Sequence, residues 1–386
     1  MRWQAQTLDA EAAGALPGLA RIPGLLRTVR TPEFAGITFH EVQARSVLNE
    51  VPAASRVPFR WTVNPYRGCS HACRYCFARG SHAWLELDTG TGFDSEVVVK
   101  VNAPEVLARE LRRPSWTREH VALGTNTDPY QRAEGRYRLM PGIIGALTDC
   151  LTPFSILTKG TLLRRDLPQL VAAAREVSVG LAVSVAIYDE ELHRALEPGA
   201  PSPRARLDLV RAIRDAGFDC GVLLAPVLPW LTDSTEHLEM AVGELAAAGA
   251  TSVTPIPLHL RPGAREWFMA WLQRERPDLV AGYERLYARG AYLPRAYTDW
   301  LTKRLEPIVV QHGLDRARDG QARRLQPDGA DQNRADPADG QSDGSQSDGT
   351  ESDANDPGKA EPDGATPARS EARSHPGDSP EQLSLL

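Results

Sequence analysis

From residue 60 onward, short apolar runs of strand length alternate with longer stretches of helical period. The runs are Arg60 to Val63, Val121 to Gly124, Phe154 to Leu157, Gly180 to Ile187, Gly221 to Pro226 and Ser252 to Pro257. Leu167 to Val177, Ser202 to Ala216 and Ser234 to Ala248 fit helices between them. Ser202 suits an N-cap, Arg211 and Arg214 face outward, and Gly217 stops that helix. Six strand–helix units predict a parallel sheet. Its functional site belongs at the carboxyl ends of the strands, whether the sheet curls into a barrel or stays open and doubly wound. Periodicity alone does not separate those two forms.

The flanks read differently. Residues 1–59 are mixed, with turns at Pro17-Gly18 and Pro23-Gly24 and a strand pattern over Gly36 to Val42, and are expected to be a lead-in packed on the 60–262 core. In 263–315, Trp267, Phe268, Trp271, Tyr283, Tyr287, Tyr292, Tyr297 and Trp300 interleave with arginines and lysines. Such a mixture can stack on bases and neutralise phosphates. The spacing of Trp267 with Trp271 and Tyr283 with Tyr287 equally fits helices packed on the mouth of the core. His259 follows the sixth run and is expected on the site face, as a substrate contact or a cap. Residues 316–386 are rich in Asp, Gly, Ser, Pro and Gln, a composition expected to stay disordered.

Charge follows this division. The 386-residue chain carries a formal net charge of −6, and from Asp319 onward 15 acidic residues face 6 basic ones. The acidity therefore lies in the tail, and the rest is mildly basic, which permits a nucleic-acid partner without demanding one. The chain starts without a signal-like apolar run and has no membrane-length apolar stretch, so the expectation is a soluble cytoplasmic protein with no membrane association. Five cysteines in this setting point to a reducing compartment.

Three of those cysteines carry the chemistry. Cys69, Cys73 and Cys76 stand at CxxxCxxC spacing directly after the first strand. Soft thiolates suit iron–sulfur clusters or zinc. A [4Fe–4S] cluster normally takes four cysteines, so three on one loop would leave one iron open for another ligand. The competing reading is a closed Cys3His zinc site completed by His71, although His71 lies inside the same loop and zinc ligands normally come as two separated pairs. Cys150 and Cys220 fall before the third and at the start of the fifth strand and read as buried small side chains.

The phrase Asn64-Pro65-Tyr66-Arg67-Gly68-Cys69-Ser70-His71-Ala72-Cys73-Arg74-Tyr75-Cys76-Phe77-Ala78-Arg79 resembles the radical S-adenosylmethionine (SAM) superfamily, whose CxxxCxΦC signature has Tyr75 at its aromatic position. The wider stretch, from about Phe39 to about Ala248, looks like the spore photoproduct lyase-like subgroup. The resemblance implies an α/β fold of partial (β/α)6 TIM-like barrel type, followed here by a helical extension. It implies a [4Fe–4S] cluster on Cys69, Cys73 and Cys76, SAM chelating the open iron, and one-electron cleavage to methionine and a 5′-deoxyadenosyl radical that abstracts hydrogen from substrate. By the same resemblance Thr125, Asn126, Thr127 and Asp128 hold the methionyl amine, Ser184 and Glu197 face the ribose or methionyl part, and Arg206 pairs with the carboxylate. Turn chemistry offers the plainer account that Thr125 to Asp128 form a capped Asp-Pro turn. For Arg206 a surface ion pair on its helix competes.

Other expectations follow. Trp230 stands where the subgroup's adenine-contacting turn usually has glycine. Spore photoproduct lyase returns hydrogen through a fourth cysteine on the barrel wall, a place that neither Cys150 nor Cys220 occupies, which leaves Tyr130 and Tyr188 as candidate radical relays. A low-potential donor such as flavodoxin or ferredoxin is implied. The last residues, Gln382 to Leu386, resemble the peptide with which bacterial repair proteins dock into the sliding clamp. The combined expectation is radical chemistry on a DNA base; the alternatives are a protein, tRNA or metabolite substrate, or a zinc-stabilised adaptor bound to the clamp.

Overall fold

The computed structural model describes residues 7–8, 22–52, 55 and 57–315. The tail and its terminal leucines lie outside the described residues. The strands are, in chain order, β1 (Thr7–Leu8), β2 (Leu25–Val29), β3 (Thr38–Val42), β4 (Leu48–Glu50), β5 (Trp61–Val63), β6 (Tyr66–Arg67), β7 (Glu96–Lys100), β8 (Val121–Leu123), β9 (Phe154–Thr158), β10 (Val179–Ser184), β11 (Cys220–Val227) and β12 (Ser252–Pro257).

All six strands expected from the apolar runs are present, as β5 and β8 to β12. They form one parallel run in the order β12-β11-β10-β9-β8-β5, with β4 added antiparallel at the β5 edge. The register is continuous: Trp61 pairs with Val121, Val121 with Phe154, Phe154 with Val179, and Leu181 with Cys220. Sequential strands joined by helices place every crossover on the outside, the arrangement of a partial (β/α)6 barrel, and no pairing between β12 and β5 closes it among the described residues. The expected helices form, Ser202 in its expected cap position and Ser234 capping the next helix in the same way. Ser202 accepts from the Ala205 amide at 3.2 Å ahead of helix Pro203–Asp215, and Ser234 accepts from the His237 amide at 3.2 Å ahead of helix Thr235–Ala247. The helix expected from Leu167 starts earlier and spans Leu163–Glu176, with Pro168 inside it.

Residues before 60 do more than pack on the core. β3 pairs in parallel with β7, setting Thr38 opposite Glu96, and β7 pairs antiparallel with β6. The resulting second sheet, β1-β2-β3-β7-β6, interleaves the lead-in with the loop that carries the cysteines. Through β6, that loop is strung between two sheets.

The segment 263–315 forms helices Ala264–Glu275, Pro277–Leu286 and Arg295–Gln311. Phe268, Trp271, Tyr283 and Tyr287 are buried with Leu258, Leu260, Cys73 and Tyr75 in a core cluster of their own. The helical aromatic spacing is thus chiefly core packing, and the core it builds touches the cysteine loop. No helix among the described residues is long and apolar enough to cross a membrane.

Candidate active site

The cysteine loop is held by backbone hydrogen bonds to two other segments, around Phe93 and over 196–199. The Cys69 amide donates to Phe93 O at 3.0 Å, the Arg74 amide to Leu196 O at 2.9 Å, and the Gly199 amide to His71 O at 3.0 Å. Gln131 clamps the entry, accepting from the Ser70 amide at 3.0 Å and donating to Gly68 O at 2.9 Å. Gly199 is required by closeness: a Cβ there would sit 1.9 Å from Ser70 O. Arg79, fully buried, donates to Cys73 O at 2.8 Å, Gly90 O at 2.7 Å and the Asp94 carboxylate at 2.7 Å. The loop's shape is therefore set by the protein.

Cys69 and Cys73 are buried and Cys76 is half-buried, all as free thiols. Burial raises all three thiol pKa values; Asp128 adds to this at Cys69 and Glu197 at Cys73, and the Cys76 sulfur raises both of them further. Among the described residues no three such groups already stand as a metal-ligating polygon. The cage repels bare thiolates, and a bound cation would relieve that repulsion while releasing protons. His71 is turned elsewhere, its Nδ1 lying 3.5 Å from the Asp128 carboxylate.

Beside the thiols lies a buried charge network. Glu197 is fully buried and accepts from the Tyr75 hydroxyl and from Arg206, with Lys159 Nζ 3.7 Å from Oε1 and His193 Nε2 3.4 Å from Oε2. Burial alone would raise this carboxyl, but Arg206 and Lys159 hold it well below the usual range. The expected role of Arg206 changes here. Its guanidinium is wholly buried and donates to Glu197, to Pro201 O at 2.9 Å and to Ser184 O at 3.0 Å, so it braces Glu197 from behind. The cation with solvent access is Lys159, 15% exposed, which bonds Ser184 Oγ at 2.6 Å. Lys159 had no role in the sequence reading; its place after β9 was the available signal.

The Thr125 to Asp128 segment divides in two. Thr127 Oγ1 donates to Tyr66 O at 2.7 Å, and Asp128 accepts from Thr158 Oγ1 at 2.6 Å and from the Lys159 amide at 2.6 Å, tying the ends of β8 and β9 together. Thr125 Oγ1 and Asn126 Oδ1 are buried without a partner, as is Asn64 Oδ1 at the end of β5. Buried acceptors without donors are costly and imply a missing one. Three such oxygens, just past the ends of β5 and β8, are free to accept from an ammonium group. Together with Lys159 for a carboxylate, this donor set suits the methionyl end of SAM.

The relay candidates border this group: the Tyr130 amide donates to Asp128 Oδ1 at 2.8 Å, and Arg206 acts electrostatically on the Tyr188 hydroxyl. Tyr130 sits in the main barrel core, its hydroxyl facing Asp166. Tyr188 stacks edge-on with His237 and lines a cavity of about 720 Å³ that also borders Arg204 and Arg211 of helix Pro203–Asp215. Neither belongs to the core cluster that holds Cys73 and Tyr75. Cys220 is fully buried at the start of β11, and Cys150 caps helix Leu139–Asp149. Trp230 has φ +60°, a left-handed conformation that glycine adopts without strain, and its ring is half-exposed against Tyr283.

Residues 63–241 match the family model of the radical SAM superfamily. The chain belongs to that superfamily. It is an enzyme of the radical SAM class, and the family implies the [4Fe–4S] cluster and SAM. Over 318 residues the chain is 61% identical to an uncharacterized protein of Mycobacterium tuberculosis, covering 81% of this chain and 93% of the relative. The fold is that of spore photoproduct lyase. A structure of that enzyme complexed with dinucleoside spore photoproduct aligns with a TM-score of 0.54 at 16% identity, over 71% of this chain and 79% of the other. A mutant with bound AdoMet and the same dinucleoside gives 0.52 at 16% identity, over 68% of this chain and 78% of the other.

Proposed function

We propose that this enzyme cleaves SAM reductively and directs the radical to a nucleic-acid base, most simply a damaged or modified base in DNA. When bound, the cluster and SAM supply a 5′-deoxyadenosyl radical. The chain's own residues do the rest. Cys69, Cys73 and Cys76 would hold the cluster; Asn64, Thr125 and Asn126 would accept from the methionyl amine, and Lys159 would face its carboxylate. Glu197, braced by Arg206, fixes Tyr75 and Lys159 in one orientation, so that the ligand meets a preformed surface.

The observation that carries the reading is the set of unpartnered acceptors beside three caged thiols. Support for a base as substrate comes from exposed rings at the same end of the barrel. Phe77, immediately after Cys76, is 38% exposed, and Arg261 lies 5.9 Å from its ring and 5.9 Å from that of Tyr292. Arg261 also donates to the Tyr292 hydroxyl at 2.8 Å, and His259 stands edge-on to Tyr292 at 4.7 Å. Aromatic faces interleaved with guanidinium suit stacked bases and phosphates. Docking of Gln382 to Leu386 on the sliding clamp would raise the local concentration of DNA.

The test is anaerobic reconstitution with iron and sulfide, then dithionite and SAM, with and without an oligonucleotide. Wild type should bind about four irons per chain, as a [4Fe–4S] site requires, and release 5′-deoxyadenosine, whereas Cys73→Ala should do neither. Stoichiometric zinc with intact SAM would defeat the reading. Deoxyadenosine release without salt-dependent oligonucleotide binding would move the substrate to a protein or metabolite.

A further inference from the structure

Strand register brings two cations together where the chain enters the cysteine loop. In the antiparallel pair of β6 with β7, Tyr66 stands opposite Val99 and Arg67 opposite Val98. Opposite residues share a face and neighbours along a strand alternate. Tyr66, Val97 and Val99 accordingly enter the main core, whereas Val98 packs with Ile22, Val42 and Leu85 in a small cluster on the other side. Arg67 lies on that second face, and so does Lys100, two residues beyond Val98. Diagonal neighbours of this kind are about 7–8 Å apart. Trp84, from the short 3-10 helix Phe77–Leu85, completes the group, with Arg67 Cζ 5.8 Å from its ring. All three side chains are half-buried, and none makes a hydrogen bond or an ion pair among the described residues. Glu96, on the same face, is taken by His40 at 2.5 Å, and Glu110, which acts electrostatically on Lys100, accepts the amides of Val47 and Leu48 at 3.0 Å. Burial lowers the pKa of both cations, to about 8 at Lys100, where Arg67 adds to the effect.

Desolvated cations set side by side without a counter-charge are costly, and folded chains normally pair them. An anion from outside the chain would pair these two. Two cationic donors and an indole N–H suit the several oxygens of a phosphate better than the two of a carboxylate. We infer that Arg67, Lys100 and Trp84 form a phosphate-binding site at the β6 edge of the second sheet, next to the cysteine loop and separate from the residues assigned to SAM. The phosphate has two possible sources with the same chemistry. One is free phosphate or a nucleotide; the other is the backbone of the nucleic acid proposed above as substrate, which Arg67, two residues before Cys69, would hold beside the loop. Only the second source rests on that proposal, and the site itself does not depend on radical chemistry.

The test titrates the reconstituted protein with inorganic phosphate, and with acetate at matched ionic strength, following heat of binding and the thermal unfolding midpoint. Wild type should bind phosphate and gain in midpoint, with acetate having little effect. Lys100→Met should weaken phosphate binding by about tenfold or more, Trp84→Phe should weaken it less, and Lys100→Arg should retain most of it. Iron content and dithionite-driven deoxyadenosine release of Lys100→Met should match wild type. In phosphate-free chloride its midpoint should equal or exceed that of wild type, because an uncompensated cation is gone. A lower midpoint, or a variant that does not fold, would give Lys100 a structural role and overturn the site. Phosphate bound no more tightly than acetate, or equally by wild type, Lys100→Met and Trp84→Phe, would overturn it as well. Oligonucleotide binding measured across salt concentrations then separates the sources. A log–log slope smaller by about one in Lys100→Met assigns the site to a backbone phosphate; an unchanged slope with phosphate binding lost assigns it to free phosphate or a nucleotide. Absence of oligonucleotide binding by wild type would sink the nucleic-acid substrate, and the phosphate titration would still decide the site.

Discussion

Two fully buried glutamates in this protein are each held by a tyrosine and an arginine, yet only one belongs to the site. Glu134 accepts from the Tyr66 hydroxyl at 2.5 Å, from Arg165 at 2.6 Å, and from the amides of Leu139 and Met140 at 3.0 and 3.2 Å. Its network closes on itself and joins the loop after β5 to helices on the barrel's outside. Glu197 accepts from Tyr75 and Arg206, but its third neighbour is Lys159, which reaches solvent, and it shares its pocket with Cys73. The same residue types make a structural pin in one place and a preorganised surface in the other. What separates them is the adjacent thiols, since Lys159, 15% exposed, and Arg165, 25% exposed, each pair with their glutamate and reach solvent.

Glu197→Gln should break the comparison hardest. It leaves Arg206 as an uncompensated buried charge, a situation that typically costs about 3–5 kcal/mol, and it frees Lys159. Anaerobic denaturant unfolding should show that loss together with reduced SAM binding. Glu134→Gln should cost less, because the 25% exposed Arg165 can turn to Asp166 and water, and should leave SAM binding of the folded protein intact. Equal effects of the two variants on SAM affinity would remove the distinction.

Lys159→Met should show the reverse split. A hydrogen bond to a charged group contributes about 1.5–3 kcal/mol, so SAM affinity should fall by roughly ten- to a hundredfold while the unfolding midpoint barely moves. Arg165→Met should lower the midpoint and spare SAM affinity. Equilibrium binding of SAM to the reconstituted protein checks both.

Local signals made much of this legible in the sequence. The six strands, the caps Ser202 and Ser234, and the cysteine loop each follow from a few adjacent residues. The second sheet did not, because β3 and β7 pair across more than fifty residues and β7 is only a short apolar run inside a loop. The carboxylate role of Arg206 came from the family resemblance, and its carbonyl partners at 184 and 201 become visible only in the fold. Asn64 and Lys159 were missed for the converse reason: their types are ordinary, and it is unmet or solvent-reaching placement that marks them. Tyr130 and Tyr188 were chosen by type and strand position, which do not say where a hydroxyl faces.

The finest contrast between the two glutamates is in pH. Glu197 has a folded-state value depressed below the ordinary 4.5, so its contribution is fully present above that value and is lost as pH falls through the folded value. Burial raises Glu134 above 4.5 despite its four donors, so the folded protein binds the proton more readily than the unfolded chain, and stability falls as pH rises from 4.5 through the folded value. Subtracting each glutamine variant's unfolding free energy from that of wild type, pH by pH, should therefore give slopes of opposite sign: wild type gains on Glu197→Gln with rising pH and loses ground to Glu134→Gln. Each raised or lowered unit corresponds to about 1.4 kcal/mol, within reach of denaturant titration. Slopes of the same sign would mean that the two buried carboxylates are electrostatically alike.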